Sequence, residues 1–486
     1  MSSLICAFIQ ILLIGGCSVG PRYKRPPVAT PPAFKEAAIQ ATDSVVWRVA
    51  TPSDDKIRTK WWECFGDPAL NELEERAAVS NQNIAAATAH FFAARAIVKQ
   101  ARSQYFPTVT TNPSIVNTRP SQAQFGGIET GGGSSLSVRS YTQYSLPFDA
   151  SWEPDLWGRI RYNVRASAFA AQASAADLEN VRLSEQAELA VDYYESLSQD
   201  SLKKLFDDTV KAYRDALDLN RSLQRSGLAT DEAVAQAESQ FDAATAQDTN
   251  LGILRAQYEH AIAVLVGESP STFRLADKPL PDGPLPGIPL SLPSQLIERR
   301  PDIASAERAV AQANAQIGLA KTAYFPNLLL TASAGLGNFS FSDWLTWPSR
   351  FWSIGPTLTQ TLFDASLRRA TVAQYRATYD QSVANYRQAV LVAFAQVEDN
   401  LAALRILSQD VEQQDAAVAA AQRSHDEATI RYNAGLDPYL NVLNAQTVLL
   451  NYQQTALTYR VQRFVSTVQL IKALGGGWDG NSLPAF

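Results

Sequence analysis

The sequence predicts a mainly helical chain with a membrane β part, built from an internal two-fold repeat. Three observations carry this expectation. Gly227-Leu228 recurs as Gly435-Leu436, Ala237 as Ala445 and Val266-Gly267 as Leu474-Gly475, each 208 residues further on. Residues 155–269 and 357–437 contain no proline and are dominated by Ala, Leu, Gln, Glu and Arg. Short segments near residues 144–148, 327–336 and 351–363 alternate apolar and polar residues with a period of two.

The N-terminus reads as an address. Leu4 to Ile14 is apolar apart from Gln10, too short to span a bilayer, and leads into Gly15-Gly16-Cys17. This resembles a bacterial lipoprotein signal, cut before Cys17, whose cysteine then carries a diacylglyceryl and an N-acyl lipid. Residues 1–16 contain no Lys or Arg, unlike the usual positive start of such a signal. Ser18 in place of Asp favours the outer membrane. With Cys6 removed and Cys17 acylated, Cys64 is expected to be a free, packed thiol.

Beyond the signal each copy reads helix, two strands, long helix, helix. Tyr105-Phe106-Pro107 recurs as Tyr324-Phe325-Pro326, and Leu156-Trp157 matches Leu362-Phe363. Segments 159–226 and 365–433 would each reach roughly 100 Å at ~1.5 Å per residue. Along the second, Val383, Val390, Val397, Leu404, Val411 and Val418 recur at sevens, with Tyr379, Tyr386, Ala393 and Leu407 on the other seam, as in coiled coils. Small residues on the remaining faces suit a wall of helices.

The strands alternate Trp352, Ile354, Pro356 and Leu358 against Ser353, Gly355, Thr357 and Thr359, and Leu328 to Leu336 does the same. One face suits lipid and the other water. Tyr105, Phe106, Tyr324, Phe325, Trp344, Trp347 and Trp352 fall where an interfacial aromatic belt would lie. Four strands cannot close a barrel, since the smallest bacterial barrels have about eight, so copies must associate.

Composition excludes several functions. With 42 Lys+Arg against 48 Asp+Glu the net charge is −6 and no basic block appears, so nucleic acid is not a partner. Three cysteines and three histidines lie far apart, which offers no metal-ligand spacing. No phosphate loop or nucleophile elbow appears, and in Glu298-Arg299-Arg300-Pro301-Asp302 the aspartate reads as a helix cap and Arg299 as a packing or ion-pair residue; the chain is not expected to be an enzyme.

In this order, Cys17-Ser18-Val19-Gly20-Pro21-Arg22-Tyr23, Trp61-Trp62, Asp67-Pro68-Ala69-Leu70 with Leu73, Leu296 to Ile303 with Ala306-Glu307, and Ala315 to Phe325-Pro326 resemble the TolC-like outer-membrane efflux proteins. The likeness is to their lipoprotein branch, which serves resistance-nodulation-division pumps. It implies a homotrimeric α-helical barrel in the periplasm, continuous with a twelve-stranded outer-membrane β-barrel, four strands per chain. It implies an exit duct for drugs, toxic compounds or metal ions, partnered by a periplasmic adaptor and an inner-membrane transporter. A protein-export channel of similar architecture and a pore-less lipid-anchored tether are the alternatives; the alternating strands argue against the tether.

The resemblance also divides the chain. Residues 1–16 are the signal, 17–66 the lipid anchor and first equatorial segment, and 67–267 the first repeat. Residues 268–301 form a proline-rich equatorial linker, 302–475 the second repeat and 476–486 the tail. Adaptor contact is expected at the hairpin tips Gly227, Leu228, Gly435 and Leu436, where the second helices restart from Thr230 and from Asp437 as N-caps, Pro438 being at N1. The family's pattern places two aspartates three residues apart just past the second tip, ringing the periplasmic mouth. Here those positions are Asn441 and Asn444. Asp437 is a candidate for a single acidic ring, and Tyr432 and Tyr439 are candidate plugs.

Overall fold

The computed structural model describes residues 19–36, 60–121, 139–283, 285–288, 299–478, 483–484 and 486. The expected signal and Cys17 lie outside them. Seven helices dominate: α1 (Pro68–Ser80), α2 (Gln82–Ser103), α3 (Arg159–Arg225), α4 (Asp231–Leu265), α5 (Pro301–Thr322), α6 (Leu367–Asn433) and α7 (Tyr439–Ala473). Helices α3 and α6 have 67 residues each, so uninterrupted helix-forming composition becomes uninterrupted helix. Both begin after a left-handed residue, Gly158 at φ 86° and Ser366 at φ 74°, 208 positions apart like the tip glycines.

Each long helix runs the length of the molecule and is flanked by shorter ones. Near the sheet, α2, α3, α5 and α6 lie side by side; toward the tips, α4, α3, α7 and α6 do. The heptad seam of α6 is the buried one. Tyr386, Val390, Ala393, Val397, Leu404 and Leu407 are buried, Tyr379 and Val383 pack beside the first of them, and Val411 and Val418 are half-buried.

The β part is one antiparallel sheet of β1 (Thr108–Thr111), β2 (Ser114–Thr118), β3 (Tyr141–Trp152), β4 (Asn327–Asn338) and β5 (Arg350–Thr359). β1 and β2 both pair with β3, so the first of the four strand positions is one line broken at Asn112-Pro113. Proline has no N–H for the ladder, and the break falls on an edge strand, where it is tolerated.

Register sorts the residues by polarity. Leu146, Leu336 and Arg350 fall in one row, Phe148, Ala334 and Trp352 in the next, then Val109, Ala150, Ala332 and Ile354, then Trp152, Leu330 and Pro356. The opposite face carries Gln143, Ser145, Asp149, Ser151, Thr331, Ser333, Ser353 and Gly355, with Val116, Pro147, Leu329 and Phe351 as its apolar members. Trp352, Ile354 and Leu358 are exposed, so the apolar face has no cover within the chain. Among the described residues no helix is long and apolar enough to cross a membrane.

Between sheet and tips lies the main core, where α1 and the turn Trp61–Phe65 pack against α3 and α7. Trp61, Trp62, Leu70 and Leu73 are buried in it. Asp67 caps α1 through the Ala69 N–H at 3.0 Å and also accepts from Tyr193 (2.9 Å) and Lys278 (2.7 Å). Burial alone would raise its pKa, but the bonds from Lys278 and Tyr193 hold it below the ordinary carboxylate value.

The Arg300-Pro301-Asp302 stretch explains itself here. The buried Arg300 guanidinium forks onto Asp302 at 3.0 and 2.6 Å and donates to the Ala473 carbonyl at 2.9 Å, pinning the start of α5 to the end of α7. Arg300, rather than Arg299, is the ion-pair residue. Asp302 sits inside the first turn, and the N-cap is Arg300 with no side-chain cap bond, so Asp302 is not the cap expected of it. Cys64 is free but exposed, contrary to expectation, because Trp61 and Trp62 take the buried side of its short turn.

Candidate functional site

The far ends of the two helix pairs form the tip region. Helix α3 ends in a left-handed Gly227 at φ 72°; the Gly227 N–H donates to Gln224 O and the Leu228 N–H to Leu223 O, both at 2.9 Å. Helix α6 ends identically, with Gly435 at φ 72° donating to Tyr432 O and Leu436 to Arg431 O, both at 2.9 Å. These are Schellman turns, in which glycine takes the left-handed position. In each, the residue after glycine points outward: Leu228 is 77% exposed and Leu436 69%. Two apolar side chains thus project from the tips with no cover among the described residues.

The helix restarts differ. Thr230 caps α4 by accepting from the Ala233 N–H at 3.2 Å. Asp437 does not cap α7, whose N-cap is Pro438. Its carboxylate turns back to Arg431, with Nε at 2.7 Å and Nη2 at 3.3 Å. That pairing is the main reason its pKa falls below the usual range, and the Asn441 side chain hydrogen-bonds the same carboxylate. Backbone capping loses because a guanidinium across the turn offers a charge-assisted fork. Within the protomer the Asp437 carboxylate is thus paired with Arg431.

Tyr432 and Tyr439 are not loose plugs within the protomer. Their ring centroids lie 5.3 Å apart, in a cluster with Leu217, Ala237, Val442 and Leu443. The Tyr432 hydroxyl donates to Asn220 Oδ1 at 3.1 Å, tying α6 to α3. Tyr439 is 6% exposed, and burial pushes its hydroxyl up to about 12, so it stays neutral. Asn441 and Asn444 are exposed one turn apart on the first turns of α7. Asn444 has no side-chain partner among the described residues.

Sequence reasoning missed Asn220 and Arg431. Both had signals: Asn220 falls at helical spacing from the buried Tyr213 and Leu217, and Arg431 precedes Asp437 by six positions across a glycine turn.

The sequence pattern of the family described as Outer membrane efflux protein matches residues 73–268 and 292–476. TtgC of Pseudomonas putida strain KT2440, a probable efflux pump outer membrane protein, is 30% identical over 484 residues, spanning 98% of this chain and 96% of the relative. The pyoverdine export outer membrane protein OpmQ of Pseudomonas aeruginosa is 29% identical over 473 residues, spanning 97% and 96%. Among solved structures, the outer-membrane channel OprN superposes with a TM-score of 0.84 at 27% identity, over 95% of this chain and 100% of that one. The open-state outer membrane channel MtrE of Neisseria gonorrhoeae shares the fold at a TM-score of 0.79 and 24% identity, over 96% and 99%. The pattern falls once on each half of the repeat, and on that ground the chain belongs to the outer membrane efflux protein family.

Proposed function

We propose that three copies of this chain close into a twelve-stranded β-barrel in the outer membrane, continuous with a helical barrel in the periplasm, and that the assembly is the passive exit duct of a tripartite efflux pump. The observation that carries this reading is the sheet: one face is mainly apolar and uncovered, and both edges, β1/β2 and β5, are unpaired among the described residues. In lipid an open edge leaves backbone groups without partners, so the sheet must close on other copies. β5 runs antiparallel to the β1/β2 line, so copies join edge to edge without breaking the alternation. At each level a chain supplies four strands or four helices, which lets the two walls continue into each other.

In this reading small molecules pass through, and energy comes from an inner-membrane resistance-nodulation-division transporter joined through a periplasmic adaptor. Leu228, Leu436 and their glycines meet the adaptor. Cys17 carries the lipid anchor, and fatty-acid label should enter the wild type but not Cys17→Ser; equal label would sink the anchor.

The gate reading rests on the tip polar groups. Asn441→Asp would place a carboxylate against Asp437 and compete for Arg431, whereas Asn444→Asp adds up to three charges per trimer without disturbing that pair. In planar bilayers the wild type should conduct, and Asn444→Asp should gain cation selectivity and sensitivity to trivalent cations. An assembled trimer that does not conduct would remove the duct reading, and identical reversal potentials would remove Asn444 from the aperture.

A further inference from the structure

At the joint between sheet and helices lies a pocket of about 580 Å³ lined by Lys321, Arg369 and Arg376, with Val19, Tyr324 and Phe325 completing its main walls. Its lining holds three cations and no carboxylate. None of the three has an ion-pair or hydrogen-bond partner among the described residues. The nearby Arg368, by contrast, is committed to Asp364, with its Nε at 2.6 Å and its guanidinium over the Tyr324 ring. Three uncompensated cations around one cavity repel each other, a cost offset when an anion sits among them.

Position supplies the class of anion. Lys321 and Phe325 directly precede β4, and Arg369 follows β5 by ten residues, so the pocket lies where the sheet's apolar face ends. The connection into α6 presents Leu362, Phe363 and Leu367 outward, an apolar rim beside the cations. Val19 in the wall fixes the outward side. The Gly20 N–H donates to the Tyr162 hydroxyl at 2.7 Å, and a Cβ on Gly20 would strike the Gly318 backbone, so the segment is pressed onto α5. Cys17 is two residues away, within about 7 Å of chain.

We propose that this pocket binds the phosphate ester of a phospholipid headgroup in the periplasm-facing leaflet of the outer membrane, next to the anchor of the same chain. The inference rests on the outer-membrane reading above. Cations at the polar boundary with an apolar rim on the membrane side match a headgroup with its acyl chains, whereas free phosphate uses only the cations. The bound lipid fixes the height of the joint in the bilayer.

The test uses the full-length trimer, delipidated in detergent, with native mass spectrometry against phosphatidylglycerol, diacylglycerol of the same chains, and inorganic phosphate. Wild type should bind phosphatidylglycerol in preference to diacylglycerol, and millimolar phosphate should not displace it. Lys321→Gln/Arg369→Gln/Arg376→Gln should bind about a hundredfold more weakly, at roughly a factor of five per lost cation. Lys204→Gln/Lys211→Gln/Arg225→Gln, with the same charge change elsewhere, should match wild type. Should the triple variant not assemble, Arg369→Gln alone should bind about fivefold more weakly. Unchanged binding by the pocket variants, or full displacement by inorganic phosphate, overturns the proposal. A conducting trimer indifferent to phosphatidylglycerol also overturns it and leaves the duct intact; a non-conducting trimer that binds it removes the duct instead.

Discussion

The helix pairs carry the same turn at the tips and at the waist, in opposite company. At the tips, Gly227 and Gly435 have nothing within 4 Å of where a Cβ would stand. At the waist, Gly267 and Gly475 close α4 and α7 with the same left-handed turn, Glu268 donating to Ala263 O at 2.8 Å and Gly476 to Ile471 O at 3.0 Å. There a Cβ would collide with the Ser80 carbonyl or the Arg299 carbonyl. Turn chemistry is set by the helix end alone and is repeated four times. The surroundings decide whether a glycine is wanted only for its φ or also for its size.

The largest effect is expected at the waist. Gly475→Val places a β-branched side chain at φ 92° and against the Arg299 backbone, where neither partner is a flexible side chain. Loss of the heat-sensitive trimer band from outer membranes is the expected outcome; a normal band would show that the waist can open.

A second, smaller effect separates the waist from the tips by pH. Glu74 on α1 is fully buried with neither carboxylate oxygen partnered among the described residues, and burial raises its pKa well above the ordinary value. A raised folded pKa means stability that is present at low pH and lost as pH climbs through the folded value. Glu74→Gln should therefore match wild type in acid and gain about 1–3 kcal/mol in alkali. Thermal unfolding midpoints from pH 5 to 9 should diverge steadily; parallel curves would show that Glu74 finds a cation in the assembly. The tip carboxylate, Asp437, has its pKa displaced downward instead by Arg431, so its pairing is lost as pH falls rather than as it rises.

The smallest effect on the fold, and a large one on function, belongs to the tips. Gly227→Val or Gly435→Val meets no steric neighbour and costs only the left-handed backbone penalty of about 1–2 kcal/mol. Trimer levels should stay normal while cross-linking to the adaptor falls and drug susceptibility rises. Unchanged cross-linking and efflux in both variants would remove the tips from the docking surface.

Much of this was legible in the sequence because it depends on period. Absence of proline gave α3 and α6 almost to the residue, with a sevenfold apolar recurrence marking the buried seam of α6, and twofold alternation gave β3, β4 and β5 with their two faces but not the broken line of β1 and β2. What escaped reading depends on contacts between distant residues or on competition between local partners. Asp437 and Pro438 look like a cap and N1, yet Arg431 takes the carboxylate. Tyr432 and Tyr439 look like aromatic plugs near a turn, yet the packing of α3 against α6 draws them inward. The basic pocket joins Val19, Lys321 and Arg376 from three separate stretches and has no motif at all.

The unpaired edges of the sheet carry a genetic consequence. β5 of one copy must zip to the β1/β2 line of the next, so the contact is head-to-tail and every copy is needed for closure. A copy with a spoiled edge would poison its neighbours. Co-expressed at equal levels with wild type, such a chain would leave about one assembly in eight composed wholly of sound copies, so a single damaged allele would behave as dominant.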